Sequence, residues 1–146
     1  MITEHTGDLF TDAPADASLV HCVSADLRMG RGIAVEFRKR FGQVDALRDQ
    51  DPKPGTVLVL RDGARFVFYL VTKDRAWDKP TAHTLSTALD ALRAACEGLG
   101  VHTLAMPRLG CGLDKMQWSR VRKMLEDTFQ PASIVQAIHV YSLDKV

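Results

Sequence analysis

Apolar runs of strand length alternate along this chain with segments whose apolar positions recur every three or four residues. The first pattern is typical of buried β-strands and the second of amphipathic α-helices. Because the Asp62-Gly63 pair separates two of the runs, we expect those two strands to form a hairpin. In all, six strands are predicted: one before Gly7, and others at residues 19–23, 56–60, 66–72, 101–106 and about 134–143.

Three helices are predicted from the spacing of apolar residues. The first covers residues 33–41 and ends at Gly42, the second runs from Thr81 to about Gly100, and the third covers about residues 118–129. The expected buried stripes are Ile33, Phe37 and Phe41 in the first helix, Leu85, Leu89, Leu92, Cys96 and Leu99 in the second, and Trp118, Val121 and Leu125 in the third.

The order of these elements predicts the fold class. Residues 66–72 are apolar on both faces, as expected of a central strand that is covered on both sides. A chain of 146 residues is long enough for one domain with a full core and too short for two ordinary ones. We therefore expect residues 1–146 to form a single α/β domain with three layers, α/β/α, around a mixed sheet.

Composition narrows the possible partners. The chain is 46% apolar and 25% charged, which is typical of a globular domain. Its net charge of +1 gives no broad attraction for nucleic acid or for an anionic membrane, so any nucleotide contact requires a local site. The sequence shows no membrane-spanning run and no signal-peptide pattern, so we expect no membrane partner.

Cysteine and histidine spacing bears on compartment and on metals. Cys22, Cys96 and Cys111 are odd in number and lack the C-x-x-C spacing of a zinc or redox site. Free thiols fit a reducing cytosol, so a cytoplasmic location is expected. The five histidines show no paired ligand spacing, so we expect neither a metal nor a cofactor. Nothing in the sequence resembles a coiled-coil seam, and we expect a monomer.

Three polar or glycine-containing segments follow predicted strands: residues 24–32, 73–80 and 108–114. In α/β sheets, ligands bind in the crevice beyond the carboxyl ends of the strands. The sequence therefore predicts one crevice of nucleotide size at this edge of the sheet.

The segment 106–114, MPRLGCGLD, carries the strongest signal of the three. Gly110 and Gly112 allow a tight turn whose exposed amides suit a phosphate, although many ordinary turns also need glycine. Arg108 suits either a phosphate or a structural salt bridge. Cys111 is interpreted as a small packing residue, because no histidine is placed to activate it.

Lys73 and Asp114 carry the candidate chemistry. An amine held at the end of a central strand can act as a nucleophile, but a lysine there can also simply reach water. Asp114 suits proton transfer, but it could equally be the N-cap of the helix that follows. An amine and a carboxylate on loops at one sheet edge suffice for nucleophilic catalysis followed by proton transfer.

Two further segments have weaker signals. Gly30 and Gly32 would let residues 24–32 fold over a ribose or a phosphate, but they also suit an ordinary helix entry. Asp8 follows the first strand, where it could accept a hydrogen bond from an adenine amino group or could serve only as a turn residue.

Taken together, several motifs resemble the macrodomains of the terminal ADP-ribose protein glycohydrolase type. The order and spacing agree from about residue 2 to residue 143. The matching motifs are residues 7–10 (GDLF), 21–24 (HCVS), 28–35 (RMGRGIAV), 69–73 (YLVTK), 79–81 (KPT) and 106–114 (MPRLGCGLD).

This resemblance implies an α/β/α macrodomain that binds ADP-ribose and removes it from acidic side chains of modified proteins. It implies that the amine of Lys73 attacks the anomeric carbon of the distal ribose and forms a Schiff-base-type intermediate, which Asp114 resolves by acid–base catalysis. The substrate-binding residues that it implies are Asp8 and Leu9 at the adenine end, Ser24, Gly30, Gly32 and Ile33 around the distal ribose, Arg108, Leu109, Gly110, Cys111, Gly112 and Leu113 around the diphosphate, and Leu143 near the adenine.

The sequence departs from that pattern at Asp74, where relatives often carry a second base, and at Trp77-Asp78, where a small polar pair is expected. These departures bear on the mechanism more than on the ligand.

Three activities stay open. The first is hydrolysis of ester-linked protein ADP-ribose, with possible side activity on acetylated ADP-ribose. The second is removal of ADP-ribose from DNA, as in related antitoxin macrodomains, with nucleic acid entering only as a modified substrate. The third is a non-catalytic reader of ADP-ribose.

Overall fold

A computed structural model describes residues 1–112 and 114–143, in which six strands and five helices are found. The strands are β1 (Ile2–Thr6), β2 (Ser18–Ser24), β3 (Val57–Asp62), β4 (Arg65–Lys73), β5 (Thr103–Pro107) and β6 (Ala137–Ser142). The helices are α1 (Leu9–Asp12), α2 (Ile33–Phe41), α3 (Val44–Arg48), α4 (Ala82–Leu99) and α5 (Trp118–Thr128).

These six strands form one sheet in the order β1-β6-β5-β2-β4-β3. Neighbouring strands are parallel except for β3 and β4, which form an antiparallel hairpin. Gly63 turns this hairpin with a φ of +61°, a conformation that glycine adopts without strain. The predicted mixed sheet and the predicted hairpin are both confirmed.

Successive residues of β4 pack into two different cores, because side chains alternate between the faces of a strand. Phe68 and Leu70 join the core beneath α4 and α5, while Tyr69 and Val71 join the core on the opposite face. All four are fully buried, and each buried apolar side chain of this size contributes roughly 1.5–3 kcal/mol of transfer free energy. Both faces of β4 are thus covered, as predicted.

The helices divide between these two faces of the sheet. Buried residues of α4 and α5 line one core, while Leu9 of α1, Phe37 of α2 and Leu47 of α3 line the other. The three-layer α/β/α prediction is therefore confirmed. Of the described helices, none is both long enough and apolar enough to cross a bilayer.

Two short helices were not predicted, because four or five residues are too few to show a helical period. The predicted start of the last strand at about residue 134 is wrong, since β6 begins at Ala137. The preceding residue, Gln136, and Ala137 itself both donate their backbone N–H to the carbonyl of His102, at 2.7 and 3.3 Å.

Four residues of the predicted buried stripes lie at helix ends and are not buried, among them Phe41, the half-buried last residue of α2. Ile33 is 36% exposed at the start of α2, and Leu99 is 43% exposed at the last position of α4. Trp118 opens α5 and is only half-buried. A period identifies the face of a helix, but it does not show where the core beneath that face stops.

Candidate active site

A cleft of about 1010 Å³ lies at the edge of the sheet where the parallel strands end. The last residues of β2, β4, β5 and β6 all line it: Ser24, Lys73, Pro107 and Ser142. Ligand sites of α/β folds occur at this edge, and the volume is that of a pocket for a nucleotide-sized molecule. The three segments that sequence spacing placed at one crevice do contribute to one cleft.

Most of the predicted site residues line this cleft. Asp8 and Leu9 do not, and Leu113 lies outside the described residues. The predicted residues found in the lining are Ser24, Gly30, Gly32, Ile33, Lys73, Arg108, Leu109, Gly110, Cys111, Gly112, Asp114 and Leu143.

Lys73 and Asp114 meet inside the cleft. The ammonium group of Lys73 donates a hydrogen bond of 2.8 Å to Oδ1 of Asp114, and the two side chains are only 13% and 18% exposed. The alternative role of Asp114 as a helix cap is wrong, because Gln117 occupies the N-cap of α5. The alternative for Lys73, an ammonium that only reaches water, is wrong as well.

The two thiols of the cleft are poor nucleophiles. Burial raises the pKa of Cys22 to about 12, and the nearby charge of Asp114 and the Cys111 thiol add to this effect. Burial also raises the pKa of Cys111, against the opposing influence of Arg108. The Cys111 thiol donates to the carbonyl of Leu109 at 3.4 Å and packs against the core, in agreement with a packing role. Lys73 is thus the stronger candidate nucleophile.

The two glycines of segment 108–114 have different roles. Gly110 has a φ of +71°, and its carbonyl accepts from the backbone N–H of Met116 at 2.8 Å. The positive φ of Gly110 is strained for any other residue, and a Cβ there would also lie 2.8 Å from the Met116 sulfur, so the turn itself requires glycine. A Cβ on Gly112 would meet no atom within 4 Å. The turn itself does not require glycine at position 112, and the absence of a side chain there leaves open space in the cleft.

Arg108 is held at the rim of this loop by a charged cluster that the sequence did not reveal. Its guanidinium lies 3.6 Å from Glu4 Oε1 and 5.8 Å from the centre of the Trp118 ring. The same Glu4 oxygen accepts from Trp118 Nε1 at 2.8 Å, and the other oxygen pairs with Arg122. The salt-bridge interpretation of Arg108 is therefore confirmed, while the residue also lines the cleft.

The opposite wall contains a carboxylate that sequence analysis missed. Asp26 accepts hydrogen bonds from the hydroxyl of Ser24 at 2.5 Å and from the backbone N–H of Ala76 at 2.9 Å. The only sequence signal is a serine two residues before an aspartate, which many loops contain. Its second partner lies 50 residues further along the chain, beyond the reach of any local pattern.

Trp77 stands at the mouth of the cleft on the segment after β4. Its side chain is 67% exposed, and the guanidinium of Arg75 lies 5.6 Å from the ring centre. Asp78 accepts from the backbone N–H of Arg75 at 3.1 Å and so stabilises the turn. The unusual Trp-Asp pair thus builds an aromatic surface at the entrance.

Residues expected at the adenine end have structural roles or lie at the far side. Asp8 caps α1 by accepting from the backbone N–H of Phe10 at 2.8 Å, as expected of a turn aspartate. Leu9 is buried in the core. Leu143 follows β6 and is 78% exposed in the cleft lining. Because β5 and β2 lie between β6 and β4, Leu143 marks the end of the cleft opposite Lys73.

The charged lining favours an anionic ligand. The five cationic residues outnumber the two acidic ones, Asp78 and Asp114. These cations are Arg28, Arg31, Lys73, Lys79 and Arg108. Within residues 1–112 and 114–143, no group of three or more His, Cys, Asp or Glu side chains is arranged to hold a metal ion.

Comparison with known proteins shows the family to which this chain belongs. The Macro domain model matches residues 20–125. The chain is 48% identical over 142 residues to ADP-ribose glycohydrolase OARD1 of Homo sapiens, covering 97% of this chain and 91% of that protein. It is 29% identical to the DNA ADP-ribosyl glycohydrolase of Mycobacterium tuberculosis, covering 94% of this chain and 41% of that protein.

Among solved structures, the macrodomain of Thermus aquaticus DarG superposes with a TM-score of 0.85 at 24% identity. The superposition covers 97% of this chain and 98% of that one, and at this identity the likeness concerns the fold. The matched model spans most of the chain and the human relative is similar over nearly all of it, so the protein belongs to the Macro domain family.

Proposed function

We propose that this protein is a hydrolase that removes ADP-ribose from acidic side chains of modified proteins. The observation that carries the proposal is the 2.8 Å contact between Lys73 and Asp114 inside a cleft of nucleotide size. Its 48% identity to an ADP-ribose glycohydrolase supports the same reaction class. A protein that only reads ADP-ribose has no need for a secluded amine–carboxylate pair.

The ligand would lie along the strand ends. The diphosphate suits the turn around Gly110 and the open space at Gly112, in a cleft whose lining as a whole has more cationic than acidic side chains. The distal ribose then lies between the ends of β2 and β4, next to Lys73. The adenine extends toward β6 and the exposed side chain of Leu143.

Lys73 and Asp114 would then divide the chemistry. Asp114 accepts a proton from the Lys73 ammonium, and the free amine attacks the anomeric carbon of the distal ribose. The bond from that carbon to the ester oxygen breaks, and the carboxylate of the modified protein leaves with the bonding pair. Ring opening moves one proton from the newly bonded nitrogen to the ring oxygen and leaves a protonated Schiff base. Asp114 releases to solvent the proton that it took from Lys73, and its carboxylate then accepts a proton from the water that attacks the Schiff base, which yields ADP-ribose and free Lys73.

DNA-linked ADP-ribose is the second candidate substrate. Trp77 favours it, because an exposed indole beside cationic groups is a common stacking platform for an unpaired base. The relative in Mycobacterium tuberculosis bears the name of a DNA ADP-ribosyl glycohydrolase. The free thiols Cys22, Cys96 and Cys111 support a reducing, cytoplasmic setting for either substrate.

The test compares three substrates with the unaltered protein: glutamate-linked ADP-ribosylated protein, ADP-ribosylated single-stranded DNA, and O-acetyl-ADP-ribose. We expect release of ADP-ribose from the first. Release from DNA alone would replace the protein substrate with DNA. Binding of ADP-ribose by calorimetry without release from any of the three would establish a reader and contradict the proposal.

A further inference from the structure

Asp26 joins the two walls of the cleft beside Lys73. Its Oδ1 accepts from the hydroxyl of Ser24 at 2.5 Å and from the backbone N–H of Arg28 at 3.2 Å, both in the wall that follows β2. Its Oδ2 accepts from the backbone N–H of Ala76 at 2.9 Å, in the wall that follows β4. One carboxylate thus fixes the distance between the two walls.

Backbone hydrogen bonds reinforce this connection. The N–H of Asp26 donates to the carbonyl of Asp74 at 3.2 Å, and the N–H of Ala25 donates to the carbonyl of Lys73 at 2.8 Å. Ser24 and Lys73 are also partners in the register of β2 and β4. The Ser24 hydroxyl and the Lys73 side chain are therefore held on adjacent strand ends in the same cleft.

The contact with Asp26 decides what the Ser24 hydroxyl can do for a ligand. A hydroxyl has one proton, and an ionised carboxylate can only accept, so Ser24 must donate that proton to Asp26. Burial by itself raises the pKa of Asp26, but the hydrogen bonds from Ser24, Ala76 and Arg28 outweigh burial and keep the carboxyl ionised. Ser24 therefore presents only oxygen lone pairs to the cleft.

An oxygen that can only accept distinguishes between the parts of a nucleotide ligand. A sugar hydroxyl can donate to it, whereas a phosphate oxygen has no proton to offer and is repelled. The part of the cleft next to Lys73 thus favours a ribose over a phosphate. The phosphates would then lie at the glycine loop, residues 108–114, which forms another part of the lining.

We propose that Asp26 is a positioning residue: it holds the Ser24 hydroxyl as an acceptor for a distal-ribose hydroxyl and so places the anomeric carbon of that ribose at Lys73. This role rests on the proposed function for its ligand, but it concerns binding and can be tested without turnover.

Asp26→Asn disrupts the hydrogen bonds that hold Ser24, because an amide has one oxygen where donors face both oxygens of the carboxylate. With the amide oxygen toward Ala76, the NH₂ donates to Ser24, which then turns its own proton into the cleft. With the oxygen toward Ser24 and Arg28, the NH₂ faces the N–H of Ala76, the link between the two walls is broken, and Ser24 is no longer held at its distance from Lys73. We expect the Kd for ADP-ribose, measured by calorimetry, to rise roughly five- to tenfold, as for the loss of one hydrogen bond.

ADP is the diagnostic second ligand, because it lacks the distal ribose and its affinity should stay within twofold of wild type. Ser24→Ala should show the same selective loss, and the double variant should be no worse than either single variant, because both remove one contact. Asp62→Asn is the matched control, since it makes the same substitution at a carboxylate that accepts a hydrogen bond outside the cleft lining.

Three results would overturn the role of Asp26: equal losses of ADP and ADP-ribose affinity, additive effects in the double variant, or wild-type binding of ADP-ribose no tighter than ADP. If Asp26→Asn fails to fold, Ser24→Ala with the same two ligands decides the question. Wild-type protein that binds ADP-ribose but never releases it from a modified protein would refute the proposed function alone.

Discussion

The two ends of the cleft are built differently. At the Lys73 end, side chains on separate loops are joined by direct contacts, with Asp114 bound to Lys73 and Asp26 bound to Ser24. At the β6 end, Asp8 is used to cap a helix, and Leu143 stands exposed. The side chains at the Lys73 end are thus held in place by their partners, as the proposed chemistry requires, whereas under the same proposal the β6 end supplies only surface for one part of the ligand.

The largest effect on the difference between the two ends of the cleft is expected from removing Asp114, the partner of Lys73. Asp114→Ala should retain ADP-ribose binding and lose roughly 10²–10⁴-fold in release, the usual contribution of a positioned acid–base group. Because the later proton transfers would stall, mass spectrometry of the variant with substrate should reveal ADP-ribose attached to Lys73. Asp78→Ala, the other acidic residue of the lining, is the control. Full activity in Asp114→Ala would remove Asp114 from the mechanism.

The support beneath the Lys73 end is sensitive to acid. His21 on β2 is fully buried, stacks 3.7 Å from the Phe37 ring centre, and burial lowers its pKa to about 3. In the unfolded chain His21 takes up a proton near pH 6.5, whereas in the folded chain it stays neutral until the pH is near 3. The free energy of unfolding therefore decreases as the pH drops below about 6.5. From pH 7 to pH 5 this costs about 2 kcal/mol.

Urea unfolding of wild type and His21→Phe at both pH values measures that cost. The variant keeps an aromatic ring against Phe37 but cannot titrate, so its stability should fall by about 2 kcal/mol less than that of wild type. Equal losses in the two proteins would show that His21 is not the group responsible.

A substitution in the glycine loop, which lies between the two ends of the cleft, should have an intermediate effect on ADP-ribose binding. Gly112→Leu should weaken ADP-ribose binding by roughly tenfold or more, because its side chain would enter space left open for the diphosphate. Gly98→Leu is matched to it, since a Cβ at Gly98 also meets nothing within 4 Å but lies on α4. Unchanged affinity in calorimetry would show that this loop does not hold the ligand.

The smallest effect is expected at the β6 end. Asp8→Asn preserves the cap of α1, because asparagine is an equally good N-cap, and removes the negative charge. Since the carboxylate is already bound to the backbone N–H of Phe10, we expect the Kd for ADP-ribose to stay within about threefold. A tenfold loss would instead assign Asp8 to the adenine and make the two ends alike.

The backbone of the site could be predicted from the sequence, because it depends on local patterns. Apolar runs located β2, β4 and β5, and parallel strands place their carboxyl ends at one edge, which brought Lys73 and Asp114 to the same cleft. The glycine spacing also marked a tight turn, which the structure confirms at Gly110.

The side-chain partners could not be predicted, because they join positions distant in sequence. Asp26 bonds to Ala76 across 50 residues, and Glu4 bonds to Trp118 across 114. Neither contact leaves a periodic signal. Sequence could also not decide between the two alternatives for Asp114, because an aspartate shortly before a helix suits either a helix cap or a proposed catalytic carboxylate. The structure excludes the cap, because Gln117 occupies the N-cap position of α5.

The central claim is that Lys73 is the nucleophile, and single-turnover release from a glutamate-linked ADP-ribosylated protein tests it most directly. Lys79→Ala is the control, because it removes another cationic lysine from the same cleft lining. We predict that wild type and Lys79→Ala release ADP-ribose, and that Lys73→Ala binds ADP-ribose but releases none. Equal release by Lys73→Ala and wild type would contradict the account.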